Sequence, residues 1–320
     1  MFRIALRTSE RGDELMLKIK LLALTVLLLV YSVITNSQDM SQYYTVQHPE
    51  DFTIDWTGFY HRMNEHTARV RDQFPHHLDL AYGSDPKQRL DLYLPEGEVS
   101  NAPVFLFLHG GGFREGDRAH YGSVAEPFVK SGVITAVASY RLTGSGAHYP
   151  AQPDDTKSAV KWLFENIGQY GGNPEALYVG GHSAGAILSA DIGVDRAWLV
   201  EMGMPKEILK AIIPVSGPYD VRARGRPGEV YTYAPTPELR EQASPILHVN
   251  DPVPVALVAV GSEEGYQESS MAFTEALKAA GVDAHYLLLD GEDHADTALS
   301  LANGDSELFR QVMDIIQGSK

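Results

Sequence analysis

The sequence predicts an α/β protein with a mostly parallel central sheet flanked by helices, and three observations carry that expectation. Short apolar runs at residues 103–108, 133–140, 176–179, 255–260 and 284–289 read as strands covered on both faces. Between them lie stretches of helical periodicity, such as residues 155–167, where Ala159, Val160, Trp162, Leu163 and Ile167 share one stripe. Glycine-rich turns stand at the carboxyl ends of two of the strands, the edge of an open α/β sheet where ligands collect.

The first strand, 103–108, runs straight into His109-Gly110-Gly111-Gly112-Phe113. Glycines at this position let the backbone approach a ligand closely and aim its N–H groups at one point. His109 is expected to hold the loop by packing or hydrogen bonding. The runs at 133–140 and 155–167 continue the strand–helix alternation.

The apolar run 176–179 leads into Gly181-His182-Ser183-Ala184-Gly185, and small residues from Ala186 onward lead out as a helix. A serine in such a G-x-S-x-G turn is forced into a tight strand-to-helix reversal that projects its hydroxyl clear of the backbone. Such a serine needs a base and an acid, and where a G-x-S-x-G strand-to-helix turn carries the serine they follow in the chain order Ser, acid, His. His248, His285 and His294 follow Ser183. His285 sits inside the run 284–289 and His248 precedes the run 255–260 at its wrong end, whereas His294 lies in the loop just past the last strand. His294 is therefore the expected base.

The strand 255–260 empties into Gly261-Ser262-Glu263-Glu264-Gly265, which makes Glu264 the expected acid, Glu263 the second choice, and Asp220 in Ser216-Gly217-Pro218-Tyr219-Asp220 a third. Between these positions the stretch 217–249 is rich in Pro, Arg, Gly and Tyr and reads as a small cap or lid insertion. Tyr219, Tyr231 and Tyr233 are its candidate pocket tyrosines, with packing of a long surface loop an equal reading. Residues 51–73 are expected to add a helix over the site entrance. The chain closes with amphipathic helices at 271–280 and 307–316, whose Met and Phe residues are expected in the core.

Several motifs together carry a resemblance to a known family. His77-Leu78-Asp79-Leu80-Ala81-Tyr82-Gly83, Leu90-Asp91-Leu92-Tyr93-Leu94-Pro95, the His-Gly-Gly-Gly loop, and Tyr170-Gly171-Gly172-Asn173-Pro174 before the serine turn make residues 75–317 resemble the α/β-hydrolase fold. Within that fold they are similar to kynurenine formamidase-like esterases, neighbours of the hormone-sensitive-lipase-like esterases. The resemblance implies a serine hydrolase cleaving carboxylic esters through an acyl-enzyme, with Ser183, His294 and Glu264 as catalytic residues. It also implies an oxyanion hole of the Gly111, Gly112 and Ala184 amides, with no cofactor. Phe113, His182 and Tyr219 are the expected substrate contacts. Two features depart from the family pattern: many formamidase relatives place a bulky aromatic after only two glycines where Gly112 stands here, and the acid carries over by position rather than by identity. Formamide hydrolysis of the N-formylkynurenine type is the alternative activity, and a catalytically silent binding protein is a reading from another class.

Composition bounds the rest. A chain of 320 residues, 44% hydrophobic, suffices for one catalytic domain over residues 38–320. With no cysteine, stability rests on the core rather than on disulfides. A net charge of −16 argues against nucleic acid as a partner, because phosphate binding requires basic patches. No metal-binding or phosphate-loop motif stands at a strand end, so the expected partner is a small ester; the oligomeric state, a homodimer included, stays open. Lys18 and Lys20 precede an apolar run at 21–34, so residues 1–37 read as a secretory signal peptide or an amino-terminal membrane anchor. The corresponding location is secreted or periplasmic, with a membrane-anchored exported domain as the alternative.

Overall fold

A computed structural model describes residues 54–222 and 230–318, with the backbone alone at 230 and 231. The expected leader and the ring of Tyr231 lie outside the described residues.

The apolar runs of the sequence assemble into one eight-stranded sheet. Its strands are β1 (His76–Ala81), β2 (Arg89–Tyr93), β3 (Ala102–Leu108), β4 (Ile134–Ala138), β5 (Gly172–His182), β6 (Leu209–Val215), β7 (Val255–Gly261) and β8 (Asp283–Leu289). They lie in the order β1-β2-β4-β3-β5-β6-β7-β8. Only β2 runs against its neighbours, and every pairing from β4 across to β8 is parallel. This is the α/β-hydrolase fold. The parallel strands must reconnect by crossovers, and helices cover both faces as a result.

Strand side chains alternate between two cores. Val104, Leu106 and Leu108 of β3 pack with Ala159, Val160 and Leu163 of α3 (Ala151–Asn166), with α4 (Ala184–Val194), and with Phe273 and Leu277 of α8 (Gln267–Ala279). Phe105 and Phe107, one residue out of phase, face Phe59 and Met63 of α1 (Trp56–Gln73), Phe128 of α2 (Ala125–Lys130), and Phe309, Val312 and Ile316 of α10 (Glu307–Gln317). Short helices α5 (Ala197–Glu201), α6 (Val230–Tyr233), α7 (Pro237–Gln242) and α9 (Asp296–Leu301) fill the connections. Among the described residues no helix is long and apolar enough to cross a membrane.

Helix boundaries follow local chemistry. Ser306 accepts the N–H of Phe309 at 3.0 Å and starts α10, which ends at Gly318 with φ +65°. Asp55 caps α1 by accepting the N–H of Gly58 at 2.9 Å. Met271 corrects the expectation that the Met and Phe residues of the closing helices are core. It is 48% exposed, because Phe273 and Leu277 set the buried stripe of α8 and Met271 lies off it.

Helix α1 is fastened to the rim of the sheet by polar side chains as well as by its apolar stripe. Thr67 donates to the carbonyl of His120 at 3.1 Å and accepts the N–H of Ser123 at 2.9 Å. Arg71 donates to the Tyr93 hydroxyl at 3.1 Å and to buried Asp91 at 3.2 Å, and Arg118 bonds the same carboxylate at 3.0 Å. A buried carboxylate with two guanidinium partners is well compensated, and removing either one would leave it costly.

Candidate active site

Three loops at the carboxyl ends of β5, β7 and β8 bring Ser183, Glu264 and His294 together. Ser183 turns from β5 into α4 with φ +56° and ψ −113°, a conformation that L residues adopt only under constraint. The constraint is close packing. A Cβ on Gly185 would lie 2.0 Å from the carbonyl oxygen of Leu108, and one on Gly181 would lie 2.3 Å from that of Gly185. Glycine at both positions lets α4 start directly against β3, which drives the serine hydroxyl outward.

His294 Nε2 lies 3.0 Å from Ser183 Oγ, and His294 Nδ1 lies 2.5 Å from Glu264 Oε2. The carboxylate assigns the ring proton to Nδ1 and leaves the Nε2 lone pair facing the serine hydroxyl. Glu264 is 4% exposed, and its other oxygen accepts the Gly261 N–H at 2.7 Å and the Ser216 hydroxyl at 2.5 Å. Ser216 itself has φ +57° and contacts Thr297 Oγ1 at 2.8 Å, and Thr297 donates to the His294 carbonyl at 3.2 Å.

The glycine loop lies against this group. A Cβ on Gly110 would be 3.2 Å from Ser183 Cβ, so the backbone after β3 passes beside the serine. Gly111 and Gly112 have φ +114° and +57°, which turns the chain sharply there. Among the described residues, the N–H groups of Gly111, Gly112 and Ala184 have no protein acceptor. His109 sits beneath the loop, fully buried, stacked on Tyr140 at 4.4 Å, with its Nδ1 donating to the Gly110 carbonyl at 2.7 Å. Burial pulls its imidazole down to about 4, so it is a neutral strut.

The other carboxylates and histidines considered in the sequence lie elsewhere. Asp220 is buried and bonds Arg222 at 2.8 Å, Glu263 faces solvent, His248 donates to the Glu241 carbonyl at 2.8 Å, and His285 pairs with Asp283 at 3.1 Å on the exposed edge strand. The three residues expected to touch substrate are buried in protein contacts. Phe113 is 2% exposed and stacks on Tyr233 at 3.7 Å; Tyr219 is fully buried and stacks on Phe273 at 4.4 Å. His182 is 2% exposed, lies 4.6 Å from the His294 ring, and donates its Nε2–H to the His294 carbonyl at 2.7 Å. Burial, with His294 adding to it, holds this imidazole well below the usual histidine range, so it is neutral.

Sequence reasoning missed Ser216, Thr297, Trp56 and Tyr266. Ser216 had a signal, a serine at the end of a buried strand before Gly-Pro, but it was read only as the lead-in to Asp220. Trp56 and Tyr266 approach the His294 ring at 6.3 Å and 5.3 Å from parts of the chain with no motif.

A family model described as BD-FAE matches residues 90–268, more than half of the chain. The chain belongs to the BD-FAE family. In this BD-FAE member the matched span holds the glycine loop, Ser183 and Glu264, while His294 lies beyond it. The isoprenylcysteine alpha-carbonyl methylesterase of Arabidopsis thaliana is 28% identical over 267 residues, covering 74% of this chain and 61% of that protein. Kynurenine formamidase of Danio rerio is 29% identical over 156 residues, covering 49% of this chain and 50% of its own. This BD-FAE chain spans about three-fifths of the length of the methylesterase relatives it matches, at 58% and 61%. Among solved structures, esterase B from Lactobacillus rhamnosis superposes with a TM-score of 0.68 at 17% identity, covering 82% of this chain and 93% of that one.

Proposed function

We propose that the protein is a serine hydrolase that cleaves carboxylic esters through an acyl-enzyme. The single observation that carries this reading is the hydrogen-bonded series Ser183 Oγ, His294, Glu264 lying beside backbone amides that have no acceptor among the described residues. His294 Nε2 takes the serine proton as Oγ adds to the ester carbonyl. The carbonyl oxygen, now an oxyanion, accepts from the N–H groups of Gly111, Gly112 and Ala184. The tetrahedral intermediate collapses, the C–O bond to the alcohol breaks, and His294 returns the proton to the departing oxygen. Water then enters, is deprotonated by His294 and attacks the acyl carbonyl; the bond to Ser183 Oγ breaks, His294 returns the proton to Oγ, and the acid leaves. Glu264 stabilises the imidazolium at each half-reaction. Losing one oxyanion donor in such a site raises the barrier by about 2.7–4 kcal/mol.

Ser183→Ala supplies the test: hydrolysis of p-nitrophenyl acetate should fall at least about 10³-fold, and a fluorophosphonate probe should label the unaltered protein at Ser183 and not the variant. Activity at the starting level in the variant refutes the reading.

Formamide hydrolysis is kept as a second reading, because a kynurenine formamidase is among the relatives. A side-by-side rate comparison on an aryl ester and N-formylkynurenine separates the two. The basic and then apolar leader at residues 18–34 supports export of the catalytic domain, which fractionation of expressing cells would check.

A further inference from the structure

The apolar stripe of α1 runs Trp56, Phe59, Met63, Val70, and all but its first member are buried. Trp56 is 43% exposed, the largest of the exposed hydrophobic side chains among the described residues. Among the described residues, the stripe ends partly uncovered at the place where the helix reaches His294. The indole stands edge-on to Phe59 at 5.6 Å and edge-on to the His294 ring at 6.3 Å with an interplanar angle of 80°. Tyr266, at the start of α8, flanks the same imidazole at 5.3 Å, and His182 closes its buried side. Thr67 and Arg71 fasten the far half of α1 to the rim of the sheet, and Phe59 packs against the indole at the near end.

The chemistry proposed above says which half of an ester meets Trp56. His294 Nε2 must reach the departing alcohol oxygen to protonate it, so the substituent on that oxygen extends past the imidazole. The acyl half stays bonded to Ser183 Oγ beside the glycine loop. An exposed indole beside the imidazole offers a rigid flat apolar surface at little entropic cost. We propose that Trp56, with Tyr266, forms the wall for the alcohol half of the ester and selects alcohols that carry a flat ring. The proposal rests on the serine-hydrolase reading and adds a specificity-determining residue to it.

Benzyl acetate and ethyl acetate test it, since they share one acetyl-enzyme and differ only in a ring on an alkyl alcohol. In Trp56→Ala, kcat/KM for benzyl acetate should fall about tenfold, the order expected for losing one aromatic contact and its buried area. Ethyl acetate should change less than about twofold, and decay of the isolated acetyl-enzyme should be unchanged, because the alcohol has left by then. Trp56→Leu, which keeps apolar packing on Phe59 without the flat face, should behave like alanine, and Trp56→Phe should recover most of the preference.

An equal fall on both esters, slower acetyl-enzyme decay, or no change with either ester overturns the proposal, the first two because they mean the indole acts through His294. Failure of the unaltered protein to hydrolyse both esters would defeat the parent reading, and that result is visible without any Trp56 variant.

Discussion

The carbonyl oxygen of His294 accepts a hydrogen bond from Nε2 of His182 at 2.7 Å, so the residue before Ser183 holds the backbone of the residue that faces it. Because His182 is buried and neutral, the bond is a fixed neutral contact, with no charge placed beside the imidazole.

On the proposed serine-hydrolase chemistry, His182 positions His294 through this bond. His182→Ala should lower kcat/KM for p-nitrophenyl acetate by about 10- to 100-fold, since displacement of a catalytic group by about 1 Å is that costly. His182→Gln retains an N–H donor of similar reach and should recover part of the loss. A steady-state comparison of the two variants, with KM and kcat separated, checks this: the fall belongs in kcat.

Glu264→Gln keeps the size of the side chain and an oxygen for the Gly261 N–H, but presents His294 Nδ1 with an amide where a carboxylate stood. The equivalent change in a serine-protease triad costs about 10⁴ in kcat, and a fall of that order is expected here. Thermal unfolding should show the variant folded, and single-turnover acylation should show the loss.

Gly185→Ala would place a methyl 2.0 Å from the Leu108 carbonyl oxygen and 2.8 Å from that of His109. Both contacts are backbone, so neither can swing away. Stability should drop by about 1–3 kcal/mol or more, the range for overpacked interiors, as read from urea unfolding. Activity should fall with it, because α4 and β3 must part where Ser183 is held.

Asp191 of α4 is half-buried, and its carboxyl is pushed up to about 6 chiefly by burial, against the pull of Lys157 and His248. A carboxyl whose folded value exceeds its unfolded value of about 3.9 contributes stability that is complete below that value and lost as pH rises through about 6. Asp191→Asn should therefore be more stable than the unaltered protein at pH 8, with the gap closing toward pH 4. Melting temperatures of both proteins across that interval decide the matter.

Much of this architecture was legible in residue pattern, and the limits were physical. Continuous apolar runs mark strands covered on both faces, so β3, β4, β5, β7 and β8 could be read directly. β5 proved longer than the run 176–179, since Gly172 pairs with Ala102 and Gly180 and Gly181 carry the ladder on to His182. Glycines hide strand character because their backbone pairing leaves no side-chain periodicity.

At the site, Ser183 and His294 were readable because turn chemistry and strand ends constrain them, and Glu264 because one loop follows β7. Contacts that join distant segments, such as Ser216 with Glu264 or Trp56 with His294, leave no spacing signature. The rings of the expected substrate contacts Phe113, His182 and Tyr219 pack against other side chains or backbone, an arrangement that depends on residues distant in sequence and so leaves no local pattern.

Phe113, Ser183 and Ser216 are among the non-glycine residues with positive φ: Ser183 faces His294, Ser216 bonds Glu264, and Phe113 closes the glycine loop. Such angles tax the folded state by about 1–3 kcal/mol each, and glycine would relieve the tax. Selection of random variants for heat resistance alone, with no demand for turnover, should accordingly drift toward glycine at these places and erase the chemistry while hardening the fold. Retention of serine and phenylalanine there under ordinary growth would be the mark of a molecule kept for what it converts rather than for how well it endures.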